Sequence, residues 1–284
     1  MAVAADVGQA LDAGLTLPAS WYSDAEIHRL ELERIFARTW QYAGRADAVD
    51  RSARRHRVET WGPFAFFNAD PDARPLAEAL GPLPDHLARG GVELDQLRFR
   101  ERVVWDAQAV NWKIGIENYL ECYHCPVAHP SFSRLIDVDP DAYLLESDGL
   151  LMSQFGPVRD APGERAPYRP EGPIERAQYH FLWPNLTLNV EPGPLNLSLD
   201  VWLPAGPHEL RGHTDYFFGE DVPDDKAREL MAFGAEVAAE DMSLVVSVQA
   251  GLDSGAIPHG RLLPSSEHLI QHFQRLVLDA LAGA

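Results

Sequence analysis

Cysteine is almost absent: the chain of 284 residues holds two, Cys122 and Cys125, three positions apart. That is too few for a secreted disulfide framework, so a reduced cytoplasmic setting is the expectation. No run of 18 apolar residues occurs, and a membrane-crossing helix needs about that many. Cationic side chains are scarce too, 24 Lys and Arg against 43 Asp and Glu, for a net charge of −19. Such a chain repels phosphate backbones and anionic lipid, which argues against nucleic-acid and membrane partners. Residues Met1 to Gly14 lack the basic start and apolar stretch of a secretory signal and read as a frayed leader. What is plentiful is core material, 46% hydrophobic residues, enough for one large domain or one domain with a smaller appendage.

Periodicity sketches the organisation. Ser23 to Arg38 reads as a helix, with Ser23 or Asp24 as its cap and Ile27, Leu30, Leu32, Ile35 and Phe36 on a roughly helical apolar face. Strands are expected from Trp40 to Tyr42 and from Thr60 to Asn68, and a helical turn from Pro75 to Gly81. A further strand runs from Leu97 to Trp105, then a helix from an Asp106 cap to about Tyr123. Residues 137–178 are rich in Pro, Gly, Asp and Glu and predict long loops over a pocket. Four strands at Tyr179–Trp183, Leu186–Glu191, Asn196–Leu203 and Gly212–Phe218, separated by Pro/Gly turns, predict an antiparallel meander. Helices from Asp224 to about Gly251 and from Ser265 to Leu281 close the chain. The fold class is α+β.

The chemistry concentrates in Asn111 to Pro130, NWKIGIENYLECYHCPVAHP. On a helix Glu117, Glu121 and His124 form one stripe amid large apolar residues, and buried polar groups need partners. Pro126 should end or kink that helix, bringing His129 round to face the same centre as His124. In the later helix Asp241 interrupts an apolar stripe of Leu230, Gly234, Val237, Leu244, Val245 and Val248. Glu240 falls with Glu229, Glu236, Ser243 and Ser247 on the other face. A lone carboxylate in an apolar stripe is costly unless paired or bound to metal, so Asp241 rather than Glu240 is the candidate acid. Two histidines and one carboxylate make the facial triad that leaves three positions open on ferrous iron. Rival readings are core histidines, Asp241 as a buried salt-bridge or helix-end partner, a thioredoxin-like redox pair at Cys122 and Cys125, which however lies near a helix's end instead of opening one, and a zinc site using both cysteines with His129. For Cys122 and Cys125 themselves, packed inert thiols are the simplest reading.

These residues carry a resemblance. Asn111-Trp112-Lys113, then Glu117 to Cys125 (ENYLECYHC), then Ala128-His129-Pro130 resemble the iron motif of the ring-hydroxylating, Rieske-type non-haem iron oxygenase large (alpha) subunits. Glu240-Asp241 with Gln249-Ala250-Gly251-Leu252 is similar to the segment that gives the third ligand. The likeness covers roughly Ser23 to Leu281. It implies a helix-grip catalytic domain over 97–284, an antiparallel sheet around a long helix. It implies mononuclear Fe2+ on His124, His129 and Asp241, and Glu121 as an acidic bridge relaying electrons from a neighbouring subunit's cluster. It also implies O2, a ferredoxin or reductase as electron donor, and a homotrimer.

One departure changes the expected activity. The family's [2Fe–2S] cluster takes Cys-x-His and Cys-x-x-His pairs, and neither can be assembled from Cys122 and Cys125. ARTWQYAGRADAVD resembles the entrance to the cluster domain and VETWGPFAFFNADPDARPL its exit, with Arg51 to Arg57 between. Residues 1–96 are thus expected to hold a helix plus the edges of a Rieske domain whose cluster-binding part is absent near 50–57. The resulting expectation is hydroxylation or N-demethylation of a small quaternary ammonium or aromatic substrate, impaired without the cluster. Phe181, Trp183, Trp202, Phe217 and Phe218 are candidates for an aromatic pocket wall. The alternative is a non-catalytic helix-grip remnant that binds iron or ligand.

Overall fold

In the computed structural model, residues 2–49, 56–160 and 166–283 are described. Strands β1 (Gln41–Arg45), β2 (Arg57–Trp61) and β3 (Phe64–Asn68) make a small antiparallel sheet in the order β1-β3-β2. The single strand expected over Thr60–Asn68 is therefore a tight hairpin. Gly62 takes φ +52° at its turn, a conformation that favours glycine. The junction near 50–57, where the cluster-binding part is expected to be absent, falls mostly at 50–55, outside the described residues.

The seven strands β4 (Leu97–Val104), β5 (Leu144–Asp148), β6 (Leu151–Pro157), β7 (Arg176–Leu182), β8 (Leu186–Val190), β9 (Asn196–Gly206) and β10 (Glu209–Gly219) form the main sheet. Its order, β4-β10-β9-β8-β7-β6-β5, is antiparallel throughout. The meander expected from the turn chemistry is present, extended by a hairpin, β5–β6, in a stretch read as loop. Leu151, Met152 and Phe155 of β6 are buried; their apolar run is short and framed by Pro, Gly and Asp, which hid it.

Each face of the sheet carries its own apolar layer. On one, Trp40, Tyr42, Phe64 and Phe66 of the small sheet pack with Leu186, Leu188, Leu197 and Phe217. The Tyr42 hydroxyl donates to Asp215 Oδ2 at 2.8 Å, and Arg102 donates to both oxygens of the same carboxylate. The small sheet is thereby bolted to β4 and β10. The other layer gathers Trp112, Ile114, Ile116, Phe181, Trp183, Phe273 and Val277. It also includes Val7 and Leu11 from a helix, Ala2–Asp12, that packs on the last helix, His268–Ala282. The frayed leader is therefore an ordered helix, because its apolar residues at four-residue spacing find a groove there.

Two helices carry the chemistry. The first spans Trp112–Tyr119, with Asn111 as N-cap: its Oδ1 accepts from the Lys113 amide at 3.1 Å, and its Nδ2 donates to the Pro207 carbonyl at 2.8 Å. It begins later and ends earlier than the expected Asp106–Tyr123. Asp106 is not its cap, and the chain leaves helical geometry four residues before His124. Pro126 does not break this helix; it opens a separate short one, Cys125–Ala128, where the missing N–H costs nothing. The Glu117/Glu121/His124 stripe consequently does not exist as one helix face. The second helix, Asp224–Asp253, runs 30 residues as expected. Asp24 is the cap that the N-terminal helix Ala25–Glu31 uses. That helix docks through Glu31, fully buried, which pairs with buried Lys113 at 2.5 Å and accepts from Trp112 Nε1 at 2.8 Å.

Glu117 is structural. It accepts from the Tyr22 hydroxyl at 2.6 Å and from Gln274 Nε2 at 2.8 Å. Burial pushes its pKa up to about 7 from 4.5, against the pull of those two bonds. The folded chain thus keeps a proton that the unfolded chain releases near pH 4.5, so its contribution to stability falls as pH rises from 4.5 to 7. Denaturant midpoints at pH 5 and pH 8 test this. The wild type should lose on the order of 1–3 kcal/mol more across that interval than Glu117→Gln; equal losses would show that Glu117 ionises normally.

Candidate metal centre

The turn after Tyr119 and the long helix meet at three side chains. His124 Nε2 lies 2.9 Å from His129 Nε2 and 3.3 Å from Asp241 Oδ1, and His129 Nε2 lies 3.0 Å from the same oxygen. Among the described residues these three form the one group able to hold a metal ion. Donors about 2.1 Å from one ion and at right angles to each other stand about 3 Å apart, so the spacing is that of three facial ligands.

The outer edges of the rings explain why the inner edges face one another. His124 Nδ1 is hydrogen-bonded to Glu121 Oε1, and His129 Nδ1 to Glu240 Oε2 at 2.8 Å. Each carboxylate accepts a hydrogen bond from Nδ1–H, leaving the Nε2 lone pair turned inward, the arrangement that orients histidine toward metal. Asn118 Nδ2 donates to Asp241 Oδ1 at 2.7 Å and fixes the third donor. Glu121 also accepts from the amides of Tyr123 and His124, so it shapes the turn that carries His124.

Electrostatics point the same way. Burial opposes charge on His124, yet its bonds to Asp241 and Glu121 prevail and push its pKa up to about 9. Burial also opposes ionisation of Asp241, but hydrogen bonds from His124 and His129 hold it down at about 2. The centre therefore demands positive charge. Protons supply it when no metal is bound, and a divalent cation meets the same demand with better geometry. The donor set, two neutral imidazoles and one carboxylate with open positions, suits ferrous iron.

The structure brings His124, His129 and Asp241 together and places Glu121 beside them. It corrects the helix-phase reading of Glu240, which is not on an opposite face. Glu240 and Asp241 are neighbours on the helix, and the His129 ring offers a nitrogen to each on its two edges. Val248, assigned to the apolar stripe, is 50% exposed, while Phe233 and Gln249 are buried. Asn118 and Glu240 are the site residues that helical phase missed. The signal for Glu240 was its position beside Asp241 at the height where His129 arrives. Cys122 and Cys125 are not free thiols but a disulfide with Cα atoms 5.0 Å apart, within bridging reach. Closed as a disulfide they offer no thiolates, so the zinc reading fails.

A cavity of about 620 Å3 opens onto the triad, between the main sheet and the long helix. Of the five aromatic candidates, Trp202 and Phe218 line it; Phe181, Trp183 and Phe217 lie in the packed layers. Gly115 allows the Trp202 ring to lie against the first helix, since a Cβ there would come within 2.6 Å of it.

Residues 94–283 match the family model described as ring hydroxylating alpha subunit (catalytic domain). The chain belongs to this oxygenase family. A relative of the ring-hydroxylating alpha subunits, the carnitine monooxygenase oxygenase subunit of Acinetobacter pittii, is 29% identical over 259 residues, covering 88% of this chain and 68% of the relative. Among solved structures, a quaternary ammonium Rieske monooxygenase superposes with TM-score 0.81 at 21% identity, over 97% of this chain and 98% of that one. Naphthalene 1,2-dioxygenase from a Rhodococcus species superposes with TM-score 0.74 at 16% identity, over 96% and 98%. The α+β fold is thus the fold of the family's catalytic domains, and the family's chemistry is iron-dependent oxygenation. Among the described residues no helix is long and apolar enough to cross a membrane.

The Glu240 contact carries a prediction. Glu240→Gln, which cannot hold the His129 Nδ1 proton as a carboxylate does, should weaken ferrous-iron affinity by about 10–100-fold. Competition against a chromogenic chelator under anaerobic conditions measures it; unchanged affinity would reduce Glu240 to a surface contact.

Proposed function

We propose that this chain is the catalytic unit of an iron oxygenase that hydroxylates or N-demethylates a small organic substrate, of the quaternary ammonium or aromatic class. The convergence of two inward-facing imidazole nitrogens and one carboxylate oxygen at the mouth of an aromatic-lined cavity carries the reading. His124, His129 and Asp241 would hold one Fe2+, which when bound supplies the activation of O2. The protein's own part is positional. Glu121 and Glu240 keep both imidazoles in the tautomer that presents Nε2, Asn118 holds Asp241, and the cavity keeps a substrate C–H bond next to the triad and away from bulk water.

Oxygen activation of this kind consumes electrons, and this chain's two cysteines are joined to each other and form no Cys-x-x-His pair. Glu121, packed against His124, is the proposed port through which a separate cluster protein, ferredoxin or reductase passes them. The strands β1–β3 are read as the retained edges of a Rieske domain in residues 1–96, with 97–284 as the catalytic domain. A homotrimer and a cytoplasmic setting complete the proposal.

Metal and acid-labile sulfide analysis after anaerobic reconstitution with ferrous iron tests the centre. About one iron per chain without sulfide is expected, and most of it should be absent from Asp241→Ala. Stoichiometric zinc, or iron indifferent to Asp241, would leave only ancestry. Assay with a reductase alone should give little product, and adding a ferredoxin-type donor should raise it. Iron and substrate bound with no oxidised product from any donor would instead favour the non-catalytic remnant.

A further inference from the structure

The cavity beside the triad is one-sided in charge. Its lining includes the carboxylates of Glu191 and Asp200 and, among the described residues, no lysine or arginine. Neither carboxylate has a salt-bridge partner among the described residues. The two differ in how they are held. Asp200 is saturated: Thr214 donates to Oδ1 at 2.6 Å, and Thr187 and Asn189 donate to Oδ2 at 3.0 and 2.7 Å. Glu191 has one donor, the Tyr179 hydroxyl, 3.2 Å from Oε1 and 3.0 Å from Oε2, and one hydroxyl proton serves only one oxygen at a time. Burial pushes the Glu191 carboxyl up to about 7 against that bond, the mark of a charge that lacks compensation.

The surroundings of Glu191 are aromatic. Its charge raises the pKa of Tyr143, Tyr168 and Tyr179, second only to burial in each case, and Tyr143 and Tyr179 line the cavity. A second wall group has the same polarity. Gln154 lines the cavity and is 3% exposed; its amide nitrogen donates to the Tyr119 carbonyl, and its Oε1 has no donor. The unused hydrogen-bonding capacity of this wall is therefore acceptor capacity. A buried carboxylate without a partner is unfavourable until a cation arrives, and aromatic faces favour the same cation.

We infer that Glu191 is the counter-ion for a positively charged substrate nitrogen, and that the substrate is a small organic cation with no carboxylate of its own. A substrate carboxylate would enter a chamber already holding Glu191 and Asp200 and, away from the triad, would meet no lysine or arginine among the described residues. The inference rests on the reading of this cavity as the substrate chamber. It selects, within the two substrate classes proposed above, the cationic one without an acidic group.

Three ligands of similar size separate the contributions: choline, its neutral carbon isostere 3,3-dimethyl-1-butanol, and zwitterionic L-carnitine. Binding of each to the ferrous-loaded full chain, anaerobically and without electron donor, is measured by calorimetry. Choline should bind at least tenfold more tightly than either of the others. Glu191→Gln should remove the preference of choline over the neutral isostere while leaving the isostere's affinity and the iron content as in wild type. Equal binding of choline and its isostere, L-carnitine binding as tightly as choline, no binding of choline at millimolar concentration, or a preference that survives Glu191→Gln would each overturn the inference. The wild-type comparison needs no variant, so a Glu191→Gln chain that fails to fold still leaves the test decisive. The readout is independent of turnover: a chain that loads no iron sinks the oxygenase reading, whereas an iron-loaded chain indifferent to ligand charge sinks only this one.

Discussion

Packing the Nε2 atoms of His124 and His129 and the Oδ1 of Asp241 about 3 Å from one another is unfavourable unless something positive lies between them. Much of the surrounding architecture can be understood as holding that arrangement in place. Glu121 and Glu240 grip the rings from behind, Asn118 holds the carboxylate, and the Cys122–Cys125 disulfide closes the turn on which His124 stands. Each contact removes a way for the donors to move apart. The layers beneath, anchored by the buried Glu31–Lys113 pair, fix the first helix so that the turn leaves it in one direction.

The sequence was informative where a residue's chemistry and its neighbours in the chain decide the outcome. The meander between β7 and β10 followed from Pro/Gly turns and apolar alternation, and the long helix from uninterrupted helical spacing. His124, His129 and Asp241 come together as expected, although the first helix ends short of His124. Glu117, Glu121 and His124 share a stripe only on a continuous helix, but the helix stops at Tyr119, and Glu117 turns to Tyr22 and Gln274 instead. Glu240 shows the limit of helical phase: a ring with two nitrogens can be served by adjacent residues about 100° apart around a helix. The β5–β6 hairpin was missed because its stability comes from neighbouring strands and not from local composition.

Family membership and the scarcity of cysteine pull in different directions, and the small sheet has packing contacts of its own. The small sheet β1–β3 finds its core against β8, β9 and β10, and the Tyr42–Asp215–Arg102 link ties it there. None of those contacts involves a sulfur ligand.

The order of pairing in the main sheet has a kinetic consequence. Five of its six strand contacts join neighbours in the chain, whereas β4 joins β10, Leu97 opposite Gly219 and Val104 opposite His213. Pairing of that range carries a large loop-closure entropy and is slow to form. The helix and turn bearing both histidines follow β4, and the helix bearing Asp241 follows β10. The three donors therefore become neighbours only when this last, distant pairing is made. A metal held by them would bind the finished sheet and not its precursors, and would act as a latch on this distant contact.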